Sequence, residues 1–151
     1  MAATMVRRIA SAGSLLALTA GALLIPTSTA SAVERDGVCD AGEVCLYYNS
    51  NGEGSVSDFS GSIPNYGGSQ PNCYEFKGSG SGQGECVKNN AASVWNRTGD
   101  AVAVHYNSNY SGPSQTISNG ELVNLRPELK NENASHSIIK FKLCLNGNCP
   151  K

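Results

Sequence analysis

Charge is scarce in this chain, and none of it is concentrated. Only 15% of its 151 residues are charged, 11 basic against 12 acidic, and no run of like charge occurs. Nucleic acids and anionic membranes are held by clustered Lys and Arg, so neither is expected as a partner. Catalytic signatures are missing too. There is no G-x-S-x-G, and the two histidines, His105 and His136, stand apart with no carboxylate at a fixed spacing. Nothing marks a nucleophile or an acid–base pair, so a non-enzyme is expected. Zinc is disfavoured because no C-x-x-C occurs and neither histidine neighbours a cysteine pair. Long amphipathic helical patterns are absent, and the one helical hint is a turn at residues 127–130. These absences leave an all-β binding domain.

One apolar stretch stands out, residues 15–25, and it is short. Spanning a bilayer core of ~30 Å takes about 20 apolar residues. Arg7 and Arg8 precede the stretch, Pro26 ends it, and Ala30-Ser31-Ala32 supplies a small-x-small cleavage pattern. Residues 1–32 therefore read as an export signal, leaving a mature domain of residues 33–151 with no membrane attachment. Removing Arg7 and Arg8 leaves 9 basic and 12 acidic residues, a net charge of −3. The mature chain is expected to be secreted and monomeric.

All six cysteines, Cys39, Cys45, Cys73, Cys86, Cys144 and Cys149, fall in that mature part. An even count in an exported small domain reads as a disulfide framework, with 15 pairings open to it. Closeness along the chain favours Cys39–Cys45, Cys73–Cys86 and Cys144–Cys149.

Short β-rich runs recur between clusters of Gly, Asn, Ser and Pro. Strands are expected at 44–48, 93–97, 101–106 and 137–145. Alternation would turn Val102, Val104 and Tyr106 inward in the third, and Ile139, Phe141 and Leu143 inward in the fourth. Thr98-Gly99-Asp100 reads as a tight hairpin link between the second and third. The expected core comprises Leu46, Val94, Trp95, Val102, Val104, Leu125, Ile139 and Phe141.

The chain also repeats itself. Tyr47-Tyr48-Asn49-Ser50-Asn51 returns as His105-Tyr106-Asn107-Ser108-Asn109, an offset of 58, and Lys88-Asn89-Asn90-Ala91-Ala92-Ser93 returns as Lys130-Asn131-Glu132-Asn133-Ala134-Ser135, an offset of 42. The difference of 16 implies an insertion in the first copy, at about residues 67–85. It carries Cys73 and Cys86 and reads as a stapled surface loop.

Two Tyr-x5-Gly hairpins, each followed by an Asn-rich turn and a Ser-led strand, resemble the βγ-crystallin double Greek-key β-sandwich. Tyr48 with Gly54, and Tyr106 with Gly112, match the aromatic and glycine positions that define that fold. By the same resemblance the Asn-rich turns are similar to the calcium motif of microbial βγ-crystallins. Asn89, Asn90 and Ser93 would serve one ion, and Asn131, Glu132 and Ser135 the other. The sixth motif position is Val94 or His136 instead of Ser, and Glu132 is the only carboxylate in either turn. Calcium is therefore optional, and no cofactor is required.

The segments 47–51, 89–96, 106–113 and 124–136, after a Cys39-x5-Cys45 start, also resemble the small secreted bacterial metalloproteinase inhibitors. That resemblance implies an extracellular peptidase as partner, of thermolysin type in the best-known members, blocked by a disulfide-closed loop. Cys144-Leu145-Asn146-Gly147-Asn148-Cys149 has the C-x4-C spacing of that loop and an apolar Leu145 after its first cysteine. It lies at the chain end, whereas the family's loop lies inside the second repeat. Two rival functions are a calcium-binding crystallin-type structural module and a secreted antimicrobial protein.

Overall fold

The computed structural model of the chain describes residues 33–140. The expected signal at 1–32 lies outside them, as do Phe141, Leu143 and the Cys144–Cys149 loop. Among the described residues there is no α-helix. Strands β1 (Val44–Tyr47), β2 (Val56–Phe59), β3 (Ser93–Asn96), β4 (Ala101–Asn107), β5 (Ser111–Ile117), β6 (Leu122–Asn124) and β7 (Ser135–Ile139) are joined by turns. One sheet runs β2-β1-β3-β6 and the other β5-β4-β7, with every pairing antiparallel. Residues 127–130 form one turn, closed by Lys130 N–H donating to the Arg126 carbonyl at 2.9 Å.

The third strand of each repeat crosses to the other repeat's sheet. β6, from the second copy, pairs with β3 of the first through Val94 and Val123. In the reverse direction Ile63, from the first copy, bridges His136 on β7, with N–H···O bonds of 2.9 and 3.0 Å. This mutual exchange makes the sandwich a double Greek key. It also covers the outer edge of β7, which would otherwise present unpaired backbone groups.

Alternation buries Val44 and Leu46 on β1, Val94 on β3, and Val102 and Val104 on β4, joined by Ile117, Leu125 and Leu129. Three expectations fail here. Trp95 faces outward, because β1 places it opposite Cys45, and the Arg97 guanidinium covers its ring at 4.6 Å. Strand β7 starts at Ser135 with the opposite phase: His136 is fully buried, Ile138 packs on the core, and Ile139 is 38% exposed. Tyr106 is 39% exposed, since β4 bends away where its register with β5 shifts between His105 and Asn107.

The Thr98-Gly99-Asp100 link is not a hairpin either, because β3 and β4 belong to different sheets. The buried Asn96 side chain builds this corner. Its amide donates to the carbonyls of Asp100 and Ile117 at 2.8 and 3.0 Å, and its oxygen accepts from Thr98 N–H and Oγ1 at 3.0 and 2.8 Å. A side chain that serves three backbone groups and a hydroxyl lets the chain turn from sheet to sheet without stranding polar groups.

The stretch expected to be a surface loop does more than cap the surface. Tyr66, Phe76 and Val87, from the insertion and its flanks, are fully or nearly fully buried. Tyr66 stacks on Phe59 at 6.0 Å, and its hydroxyl lies 2.9 Å from His136 Nδ1. On the other side of the ring, His136 Nε2 lies 2.9 Å from the Gly61 carbonyl. A carbonyl can only accept, so Nε2 carries the proton and Nδ1 accepts from Tyr66. Burial lowers the His136 pKa from 6.5 to about 4.

A depressed imidazole pKa stabilises the fold fully above pH 6.5, and that contribution is lost as the pH falls toward about 4. The lost contribution is about 3 kcal/mol by the usual conversion. Denaturant unfolding at pH 7 and pH 4 should therefore show a steeper acid loss for the natural chain than for His136→Gln. Equal losses in the two proteins would rule out the buried neutral histidine.

Candidate functional site

The two repeats fold over in the same way, down to individual atoms. In the first, the Ser93 hydroxyl donates to the Asn49 carbonyl at 2.6 Å and accepts from Gly52 N–H at 2.9 Å. In the second, Ser135 donates to the Asn107 carbonyl at 2.6 Å and accepts from Tyr110 N–H at 3.2 Å. Each serine thus ties the following strand to the turned-over hairpin of its own repeat. Gly54 and Gly112 hold φ of 76° and 77° in those hairpins. A Cβ at either would crowd the amide of Asn49 or Asn107 at 3.0 or 2.7 Å, so glycine suits both positions.

The two Asn-rich turns clasp each other. Asn89 N–H donates to the Asn133 carbonyl at 2.8 Å and Asn131 N–H donates to the Ala91 carbonyl at 2.9 Å, both asparagines having positive φ. These four positions keep the offset of 42. Asn90 turns its amide inward, donating to the Cys86 carbonyl at 2.9 Å, while Glu132 is exposed. Beside the first hairpin lies a polar cavity of about 310 Å³ lined by Tyr48, Asn49, Ser50, Asn90, Lys130 and Asn131, among others. Of the six residues proposed for calcium, only Asn90 and Asn131 reach it.

Two disulfides are present among the described residues, Cys39–Cys45 and Cys73–Cys86. The first closes a seven-residue loop at the entry to β1. Arg97 fastens it: its N–H donates to the Glu43 carbonyl at 2.8 Å, its carbonyl accepts from Gly42 N–H at 2.8 Å, and its guanidinium donates to the Cys39 carbonyl. The Glu43 side chain is buried, with Oε2 accepting from Asp40 N–H at 2.7 Å, and burial pushes its carboxyl above the usual range. Upstream, the Asp58 carboxylate accepts from Asp36 and Gly37 N–H at 3.0 and 2.8 Å. The Arg35 guanidinium lies 4.5 Å over the Phe59 ring. The segment that opens the described residues is therefore strapped to β2.

The second disulfide closes a hairpin paired by Phe76 N–H to Glu85 at 2.9 Å and Val87 N–H to Tyr74 at 2.8 Å. Its near side lies along the edge of β2, where Lys77 and Gly78 N–H donate to Val56 at 2.8 and 3.0 Å and Ser55 N–H donates to Ser81 at 2.9 Å. Gly82 carries the Tyr48 ring, since a Cβ there would come within 2.2 Å of it, and Phe76 meets the same ring edge-on at 5.6 Å. The second repeat has no such insertion, which is why Tyr106 lacks the cover that Tyr48 has. A second cavity of about 300 Å³ lies beside this staple, lined by Asn65, Tyr66, Gly67, Asn72, Cys73 and Tyr74.

Sequence reasoning missed Arg35 and Arg97 as organising residues because their backbone partners lie far along the chain, and missed Asn96 because its bonds to Thr98, Asp100 and Ile117 follow no sequence pattern. The paired serines are legible through the repeat as candidate calcium ligands, and the structure adds that each also locks its own hairpin.

Fold and site together define a disulfide-stapled βγ-crystallin-like domain of two exchanged repeats. Among solved structures, one concerning the evolution of the eye-lens βγ-crystallin domain fold superposes with a TM-score of 0.52 at 15% identity, covering 69% of this chain and 92% of that one. An archaeal βγ-crystallin gives 0.46 at 18% identity, over 66% and 100%. One from Ciona intestinalis gives 0.46 at 11%, over 65% and 100%. None of the curated protein sequences matches. The profile of peptidase inhibitor family I36 matches residues 32–117, more than half of the chain, and the chain belongs to that family. It is a peptidase inhibitor by family and not an enzyme, and its partner is a peptidase.

Removing either serine lock leaves a hairpin N–H and a carbonyl without their partner. Ser93→Ala and Ser135→Ala should each lower the unfolding free energy by about 1–3 kcal/mol in urea titrations with an unchanged slope. A loss below about 0.5 kcal/mol in both would show that the hydroxyls do not hold the hairpins.

Proposed function

We propose that the chain is a secreted inhibitor of extracellular thermolysin-type metallopeptidases and that the Cys144–Cys149 loop enters the peptidase cleft. The family match over residues 32–117 carries the inhibitor reading. The disulfides agree with an oxidising, extracellular setting. A crystallin-like frame by itself would serve a structural module equally well, so the family decides between the two.

Chemistry selects the loop. A thermolysin-type pocket takes an apolar side chain. The stapled hairpin in the described part offers Lys77-Gly78-Ser79-Gly80-Ser81-Gly82-Gln83-Gly84-Glu85 across its tip, with nothing apolar to insert. Leu145 supplies such a side chain directly beside a cysteine. A loop closed by a short disulfide gives up little conformational freedom on binding, so it binds tightly and is cut slowly.

Titration of thermolysin-type and serine peptidases with the purified, folded protein should abolish the metallopeptidase activity near equimolar ratio. Leu145→Gly should weaken inhibition on the order of 100-fold, the equivalent of an anchor worth about 3 kcal/mol. Prolonged incubation followed by sequencing should find the nick at Cys144–Leu145. A nick between Cys73 and Cys86 would move the contact to that hairpin. No inhibition of any peptidase at tenfold excess would end the proposal.

A further inference from the structure

The lysine that opens each Asn-rich turn reaches across to the other repeat. Lys130 Nζ donates to Ser50 Oγ at 2.9 Å, and Lys88 Nζ donates to Ser108 Oγ at 3.4 Å. Lys88 and Lys130 are related by the offset of 42, and Ser50 and Ser108 by the offset of 58. The two contacts are therefore one contact made twice, related by the same internal symmetry as the serine locks. Two lysines, one half-buried and one exposed, find matching partners at equivalent places, as expected where the place they reach favours a cation.

The surroundings support that. The 310 Å³ cavity at Ser50 is lined by amide, hydroxyl and phenol groups together with the Lys130 ammonium, and no carboxylate faces it. Calcium takes six to eight oxygens, commonly with carboxylates among them. Ser93, whose hydroxyl would serve such an ion, already donates to Asn49 and accepts from Gly52. Glu132, the one carboxylate of the two turns, is exposed and does not line this cavity. In the second repeat the equivalent space is closed by residues 64 and 65. Asn109 N–H donates to the Pro64 carbonyl at 2.6 Å, and Ser108 Oγ donates to Asn65 Oδ1 at 3.0 Å. A divalent ion would enter a place that lacks negative charge and already holds a positive one. These residues do not fit calcium.

We infer that Lys88 and Lys130 are built-in cations of the two turn-and-hairpin places: the Lys130 ammonium fills the cavity at Ser50 in place of a divalent metal, and the Lys88 ammonium caps Ser108, where residues 64 and 65 already close the space. Each tether links the two repeats without an outside ligand, so the domain needs no calcium to hold its shape. This inference is independent of the inhibitor reading, because its readout is metal binding and thermal stability.

The test is a set of melting curves on the full mature chain in 5 mM calcium chloride, in 5 mM magnesium chloride and in EDTA, at matched ionic strength. The natural protein should melt at the same temperature in all three, within about 1 °C. Lys130→Met should melt lower in every buffer, by roughly 2–4 °C for a loss near 1 kcal/mol. Lys130→Asp should melt lower in EDTA and regain stability with calcium, because it exchanges the ammonium for a carboxylate ligand at the cavity. Lys130→Arg, which keeps the charge, should behave as the natural chain does and guards against a variant that merely misfolds. A calcium-dependent rise in the natural protein would overturn the inference. So would a Lys130→Asp protein that folds, by its far-ultraviolet spectrum, yet ignores calcium.

Discussion

One hydroxyl, used twice, holds this molecule in its shape. Ser93 and Ser135 each bridge a carbonyl and an N–H of a hairpin that has been folded back on itself. A folded-back hairpin exposes backbone groups that no neighbouring strand can reach, so a side chain must serve them. Once fixed, the first hairpin delivers Tyr48 to the platform made by Gly82 and Phe76. The third strand of each repeat is then free to cross to the other sheet, where β6 meets β3 and Ile63 meets β7. Without the locks the hairpins would open toward ordinary ribbons, and the exchange that joins the repeats into one core would lose its anchors.

Symmetry supplies the frame, and departures from symmetry give it a front and a back. The insertion in the first repeat sends Tyr66 and Phe76 into the interior and lays its backbone along β2. His136 accepts burial because the Tyr66 hydroxyl and the Gly61 carbonyl satisfy both ring nitrogens. The second repeat gains no such cover, and Tyr106 and Tyr110 remain near 40% exposed. The disulfides follow the same asymmetry, since both described ones fall before β3.

The repeat was the legible part of the sequence, because residues that recur at a fixed offset occupy equivalent places. From it came the likeness to a doubled Greek key and the position of the extra residues, while the all-β class came from the short β-rich runs between turn clusters. Side-chain phase was less legible. The run 135–139 alternates, but its inward face begins with a histidine, and a polar residue hides the parity unless its partners Tyr66 and Gly61, some 70 residues away, are known. Trp95 misled for the converse reason. Its size suggests a core residue, yet an arginine two positions later can cover an outward indole as well as a core would. The Thr98-Gly99-Asp100 link looks like a hairpin because its length and composition suit one. Only the Asn96 bonds reveal a corner between sheets. Spacing likewise does not show that the Ser93 and Ser135 hydroxyls each bond to the hairpin of their own repeat.

The frame spends most of its turns on itself, and that bears on where a peptidase can be met. Both folded hairpins are closed by serines and both Asn-rich turns are closed against each other. The edges of β2 and β7 are covered by residues 77–81 and by Ile63. Strand β5 keeps an open edge, where the Arg126 side chain occupies the Ser114 carbonyl. Turns committed to internal bonds cannot rearrange to fit a cleft without breaking the fold. What remains free to meet one is the part of the chain whose groups the frame's internal bonds do not use. A frame whose hairpins, turns and covered edges are bonded internally is a rigid body, and a rigid body gives up little conformational freedom when it meets its peptidase.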